Sequence, residues 1–363
     1  MAYTTIDDPS AHFQATAYTG GGASTEVTNG GNSDLKPDFL WIKNRTAGYG
    51  HFVVDSNRNI SYAQNSSNAP YLETESSAIE NNNQNWMASV NTNGFTTGIA
   101  EHINNNSGSA YVAWQWKCNG GTTASNTDGD ITSTVQVNSD AGFSIITYTG
   151  SGTTNETIGH GLGVEPDIAI FKRRDVATGN WDVQHNDGVP GAITTAFRNT
   201  LNLTDGTATN VLSSFSSTTI GLSTGGDAQK NVSGSKYVCY AFKAKQGYSR
   251  FGTYYGNGST DGAYIHLGFK PALVIFKVLS DPNHGWSMID NKRSPSNLMN
   301  DDLFANTAGA EVTDQNKIDF LSTGFKCRGS TYPANAGGTN TFSYFAWAEH
   351  PFVTSTGVPA TAR

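Results

Sequence analysis

Charge is scarce in this chain. Asp, Glu, Lys and Arg make up 14% of its 363 residues, against about a quarter in an ordinary globular protein. What charge there is leans acidic, with a net −8 and a pI near 5.4. No basic footprint is available for nucleic acid or an anionic membrane surface. No apolar run approaches the roughly 18 residues of a spanning helix, so no membrane insertion is expected. The start carries Asp7 and Asp8 with no basic-then-apolar stretch before them, and it does not read as a signal peptide. Cysteine is almost absent. Cys118, Cys239 and Cys327 are odd in number and none lies in a CxxC, so neither a disulfide framework nor a zinc site is expected. No metal and no cofactor is expected either. Gly, Ser, Thr and Asn take the place of the missing charge. The 40 glycines and 11 prolines fall well short of a disordered composition, and 11% aromatic residues argue for packed cores.

The chain repeats itself three times. A tyrosine with a Gly-rich turn opens each copy, at Tyr18, Tyr148 and Tyr254. A proline, a run of apolar residues and a lysine follow, as Pro37 to Lys43, Pro166 to Lys172 and Pro271 to Lys277. An aromatic segment beginning at Tyr111, Tyr237 and Tyr344 comes last. Tyrosine and proline lie 19, 18 and 17 residues apart, and proline and aromatic segment 74, 71 and 73. Constant order at near-constant spacing implies triplication of one unit of ordinary domain size. The boundaries are placed at 1–128, 129–246 and 247–363.

Each copy reads as β: short runs of Val, Ile, Thr, Tyr, Phe and Trp bounded by Gly, Asn, Asp or Ser. The expected fold is all-β, three tandem antiparallel β-sandwiches of the lectin-like or jelly-roll kind. A helical turn or two is admissible near residues 73–81 or 297–304. Residues 117–130 are small and polar and read as a linker. The second junction, 243–247, is shorter, so copies two and three should be held together more rigidly than one and two. Phe39–Ile42, Ile168–Phe171 and Leu273–Phe276 are apolar on both faces, whereas a half-solvated strand alternates. Either these strands lie inside a layered core or their outer face meets another domain or subunit. A symmetric homo-oligomer, a trimer, would satisfy the second alternative.

Catalytic signals are thin. Asp38 and Asp167 correspond, but copy three has Ala272 there. Asp55 and Asp290 correspond, but copy two has His185. Asp55 with Arg58, and Asp290 with Arg293, read as local ion pairs on turns. Nothing places two carboxylates about one glycosidic bond. Asp128 and Asp130 lack the spaced ligands of a calcium loop and read as a turn. Sugar binding is the better ligand hypothesis, because aromatic faces cover sugar C–H surfaces while amides and carboxylates hold hydroxyls. Trp86 beside Asn85, Trp181 beside Asp182, and Trp286 near His284 supply that pairing. Trp181 and Trp286 precede expected strands and read more simply as plugs at sandwich ends. Trp114, Trp116 and Trp347 lie within the aromatic segments and are assigned to the core.

Three stretches carry a resemblance: Lys36 to Arg45, Ala141 to Gly150 with Gly159 to Gly163, and Pro351 to Arg363. They resemble a repeat domain of virion proteins from tailed bacteriophages, marine ones in particular, described as tail-fibre or lectin-like structural proteins. The resemblance implies a lectin-like β-sandwich and a place on the virus particle, tail or capsid surface. It implies no ligand and no reaction. The length fits a short spike, a tail-tip piece or a capsid decoration better than a long fibre. The expectation is a non-enzymatic virion surface protein whose partners are other virion proteins, further copies of itself and host-surface polysaccharide. A purely structural capsid-decoration or head-fibre role is the alternative, and a polysaccharide depolymerase the third.

Overall fold

The computed structural model describes residues 2–58, 70–81, 86–98, 104–185, 199–204, 214–222, 230–281, 283–313, 317–338 and 340–359. Among them the chain is all-β, and its helical content is two single 3₁₀ turns, Pro9–Ala11 and Ser56–Arg58. The admissible helical turns at 73–81 and 297–304 do not form.

Each copy contributes a large and a small antiparallel sheet. In copy one the large sheet runs Phe13–Thr19, Ala110–Trp116, Phe39–Asn44, His51–Asp55, Leu72–Glu73. Copy three repeats this order with Ser249–Tyr255, Thr341–Pro351, Phe269–Val278, Ser287–Asp290 and Leu303–Phe304. Copy two does so with Phe143–Thr149, Lys236–Phe242, Ile168–Arg173, Trp181–His185 and Asn199–Thr200. It then adds Ser133–Asn138 and Ala124–Asn126 beyond Phe143–Thr149. The small sheets have three strands each, centred on Gly94–Thr97, Thr219–Gly221 and Gly324–Cys327.

The alternation of side chains along the Pro-led strands explains why both faces are apolar. Leu40 and Ile42 turn toward the small sheet of their own copy, where they pack with Val54, Trp86, Phe95 and Tyr111. Phe39 and Trp41 turn the other way, into a second cluster that draws on all three copies. There Trp116 meets Trp347 at 5.2 Å, Phe39 meets Tyr240 at 4.6 Å and Phe242 meets Trp347 at 5.6 Å between ring centroids. The three large sheets therefore close around one shared aromatic core. Each large ring removes roughly 150–250 Å² from water, worth on the order of 4–6 kcal/mol before entropy at about 25 cal/mol per Å². The face left open to another domain is thus filled inside one chain.

Two readings of the sequence are corrected. The third aromatic segment aligns two residues earlier than its tyrosine suggests. Tyr18 stacks on Tyr111 and Tyr148 on Tyr237, but Tyr254 stacks on Phe342, not on Tyr344. A slip of two preserves every side chain's face, so apolar pattern alone cannot detect it. The 117–130 stretch is not a loose linker. Ala124–Asn126 pairs with Ser133–Asn138, Cys118 is buried, and Gln136 Oε1 accepts the Asn119 and Gly121 N–H groups. The first junction is fastened to the next copy, because its short side chains leave backbone donors that Gln136 can satisfy.

Candidate functional site

The register of the large sheets places equivalent residues at three seams between copies. The motif lysines are the first set. Each is fully buried and reaches into the preceding copy of the ring. Lys43 Nζ donates to Ala308 O at 3.1 Å, Lys172 Nζ to Ser77 O at 3.0 Å, and Lys277 Nζ to Thr204 O at 2.8 Å. Burial pulls the Lys43 and Lys172 ammonium pKa values down to about 8. His51, Trp181 and Trp286 form the second set. Trp181 Nε1 donates to Glu73 O at 2.7 Å, Trp286 Nε1 to Thr200 O at 3.0 Å, and His51 Nε2 lies 3.0 Å from Phe304 O. Trp41 Nε1 donates to His51 Nδ1, so His51 is the neutral Nε2–H tautomer. Burial, then the nearby Lys43 charge, holds its pKa well below the usual value.

The third set carries the acidic residues. Tyr240 donates to Asp55 at 2.6 Å and Trp114 Nε1 to Asp290 at 3.0 Å, each across a seam. Arg58 and Arg293 bind these aspartates, and extend through Glu80 and Glu311 to Arg174 and Arg45 of the neighbouring copy. At the remaining seam His185 lies 4.9 Å from the Phe345 ring, and neither of its ring nitrogens has a partner among the described residues. The paired Asp and Arg residues are local ion pairs, as expected, and they also bridge copies.

The tryptophans proposed for sugars are placed elsewhere than at a surface. Trp86 is fully buried, edge-on to Tyr71 at 5.7 Å, in the sandwich of copy one. Trp181 and Trp286 are the seam donors described above and are buried as well. A buried indole offers no face to a sugar. Asp182 is also buried, 3.0 Å from Lys230 Nζ. Asn85 lies outside the described residues. Among the described members of this set His284 alone remains accessible, and around it an aromatic and polar cluster assembles.

Its ring stacks on Tyr332 at 4.0 Å with 20° between planes. Tyr332 donates to Asn340 Oδ1 at 2.9 Å, and Ser280 donates to the same oxygen at 2.8 Å. Asp281 Oδ1 accepts the Asn283 N–H, and its other oxygen stands 3.7 Å from His284 Nε2. The Asn283 N–H holds the Asp281 carboxyl below its ordinary pKa. Tyr332, 48 residues downstream of His284, is the member that sequence spacing misses. Tyr255, Tyr264 and Phe352 are further exposed rings. Tyr254 points inward, so strand alternation turns Tyr255 out.

Residues 8–351 match a family model described as a domain of unknown function (DUF7483). The chain belongs to the DUF7483 family. The match runs from the first 3₁₀ turn to the last strand, so the DUF7483 unit is the whole three-copy body and not one repeat. No curated protein matches the chain, and no solved structure does.

Proposed function

We propose that this DUF7483 chain is a non-enzymatic surface protein of a phage virion, which contacts host-surface glycan through the His284–Tyr332 cluster. The observation that carries the reading is where polar chemistry remains accessible. Asp55, Asp290 and their arginines are buried in the seams, while His284, Tyr332, Asp281, Asn283 and Asn340 stand together at the end of copy three. A stacked aromatic pair flanked by amides and a carboxylate suits a sugar ring's C–H face and its hydroxyls. The resemblance of the Pro-led and C-terminal stretches to virion repeat domains supports the location. The test is a glycan array probed with the full chain and with Tyr332→Ala. Retention of one glycan class, lost in the variant, supports the reading. Retention of none, or binding indifferent to Tyr332, overturns it.

The pseudo-threefold core favours a second reading, a capsid decoration with structural duties alone. One chain already supplies three similar faces, so it could seat on a threefold axis of a larger assembly without forming a trimer of chains. Virions assembled without the protein separate the two. Lost adsorption favours the first reading, and lost particle stability the second.

A further inference from the structure

Among the described residues the exposed tyrosine and phenylalanine rings, Tyr255, Tyr264 and Phe352, all belong to copy three. Tyr255 is the most open of them, at 68%. A single exposed ring is ordinary, so its position decides what it means. Tyr255 ends the first strand of the large sheet, opposite Thr341. Tyr254 faces the small sheet, where it meets the Phe325 ring and donates to Ala334 O, so Tyr255 faces the other way. On that face Phe251 belongs to the shared core and Thr253 is half-buried. Tyr255 lies beyond both, at the rim.

The same rim carries the His284–Tyr332 cluster. Gly256, the residue after Tyr255, donates its N–H to Asn340 O at 3.1 Å. Asn340 Oδ1 is the acceptor shared by Tyr332 and Ser280. Thr341 follows Asn340, pairs with Tyr255 in the ladder, and donates its N–H to Ser280 Oγ at 3.3 Å. Two ring platforms therefore flank the end of the sheet. Tyr332 with His284 is one, Tyr255 is the other, and Asn340 and Thr341 lie between them. As a cross-strand pair, Thr341 and Tyr255 share a face.

Copies one and two keep the backbone of this place and not its side chains. Gly20 donates to Ser109 O and Gly150 to Ser235 O, as Gly256 does to Asn340 O. The residues before those glycines are Thr19, Thr149 and Tyr255. Threonine and serine serve the turn in two copies, so closing it requires neither tyrosine nor asparagine. An open ring leaves most of its apolar face in water and contributes little until something covers it.

We infer that Tyr255 is a second platform of the glycan site, and that the ligand class is the interior of a linear polysaccharide chain, which crosses the end of the sheet with one sugar on the Tyr332 side and a later one on the Tyr255 ring beside the Thr341 hydroxyl. One sugar ring covers one platform, so only a chain that continues past the first reaches both. The inference rests on the glycan reading of the His284–Tyr332 cluster, to which it adds chain length and a residue.

The probe is an array presenting each glycan as a monosaccharide and as its linear oligomers up to the hexasaccharide. The full chain is compared with Tyr255→Thr, which installs the residue of the other two copies, with Tyr255→Phe and with Tyr332→Ala. Wild-type retention should be stronger for oligomers than for the monosaccharide. Tyr255→Thr should lower oligomer retention about tenfold, the upper end for one ring contact, with an unchanged thermal midpoint. Tyr255→Phe keeps the ring face and should behave as wild type. Equal retention of monosaccharide and oligomer, or oligomer retention that needs Tyr332 and is indifferent to Tyr255→Thr, overturns this inference alone. Retention of nothing at any length, or binding indifferent to Tyr332, overturns the glycan reading and this inference with it.

Discussion

Replacing Arg293 by methionine isolates what the charged seams contribute. The Arg293 side chain is wholly buried. It donates to Asp290 at 2.6 Å, Glu311 at 2.9 Å and Met288 O at 2.6 Å, and its guanidinium lies 5.6 Å from the Trp114 ring centroid. Methionine keeps most of the volume and removes the charge. Asp290 then stays buried with, among the described residues, only the Trp114 indole and two backbone N–H groups to hold it. Removing one partner of such a pair costs about 3–5 kcal/mol, mostly because the survivor is left uncompensated. Asp290→Asn added to Arg293→Met removes that survivor's charge and leaves one acceptor oxygen, enough for the two backbone N–H groups or for the indole but not for both. The double variant should therefore recover about 2 kcal/mol, a coupling that only direct contact produces. Equilibrium urea unfolding, followed by tryptophan fluorescence and far-ultraviolet circular dichroism, measures both. Because the central cluster is built from all three copies, the two signals should shift together in one transition. An Arg293→Met variant within 1 kcal/mol of wild type, a double variant as unstable as the single, or an early step in which copy three unfolds alone would refute the reasoning.

Trp86→Ala should cost about 3–5 kcal/mol of stability, as large core truncations do, and leave glycan retention intact at temperatures where the variant is folded. Loss of retention with unchanged stability would return Trp86 to the ligand site. His185 is buried neutral with its pKa lowered by burial to about 4, so the unfolded chain binds a proton between pH 6.5 and 4 that the fold does not. Stability should fall across that window as pH drops, by about 3 kcal/mol from this residue at pH 4; His185→Phe should flatten the urea-unfolding profile by that amount, and an unchanged slope would exclude the assignment. Tyr18, Tyr148 and Tyr254 each donate to a carbonyl, of Asn104, Lys230 and Ala334. Phenylalanine at each should cost about 1–1.5 kcal/mol, and the three should add, since they sit in different sandwiches; thermal unfolding of the singles and the triple checks this.

Much of the fold was legible because repetition and period-two patterning survive in sequence. The Pro-led strands announced two apolar faces, and the structure gives each face a partner. What could not be read was which ring turned to which partner. Trp86 looked loop-borne because it stands among asparagines, yet it packs on Tyr71 where copy three has the buried Asp302–Lys317 pair. Asn105, Asn231 and Asn335 escaped notice entirely. Each accepts from the backbone of the Gly-rich turn after the opening tyrosine, at Gly21, Ser151 and Asn257. A lone asparagine in a polar, Asn-rich chain carries no signal until the turn it braces is placed beside it. His284 was found for its neighbours in sequence, but the Tyr332 ring it stacks on comes from a distant loop.

Covalent tandem repetition explains why the three seams differ. In a trimer of identical chains one substitution would appear at every seam at once, and each must suit all three. Within one chain each seam can change alone. Asp55 faces Tyr240, Asp290 faces Trp114, and His185 faces Phe345, so a carboxylate is kept where the facing ring can donate and is lost where it cannot. Phenylalanine has no donor, and a buried aspartate against it would be unsatisfied. The same freedom acts at the strand edges, where Gln136 closes the seam between copies one and two while Asn291 lines a cavity between copies one and three. Identical interfaces would have forced both seams to be filled or both left open.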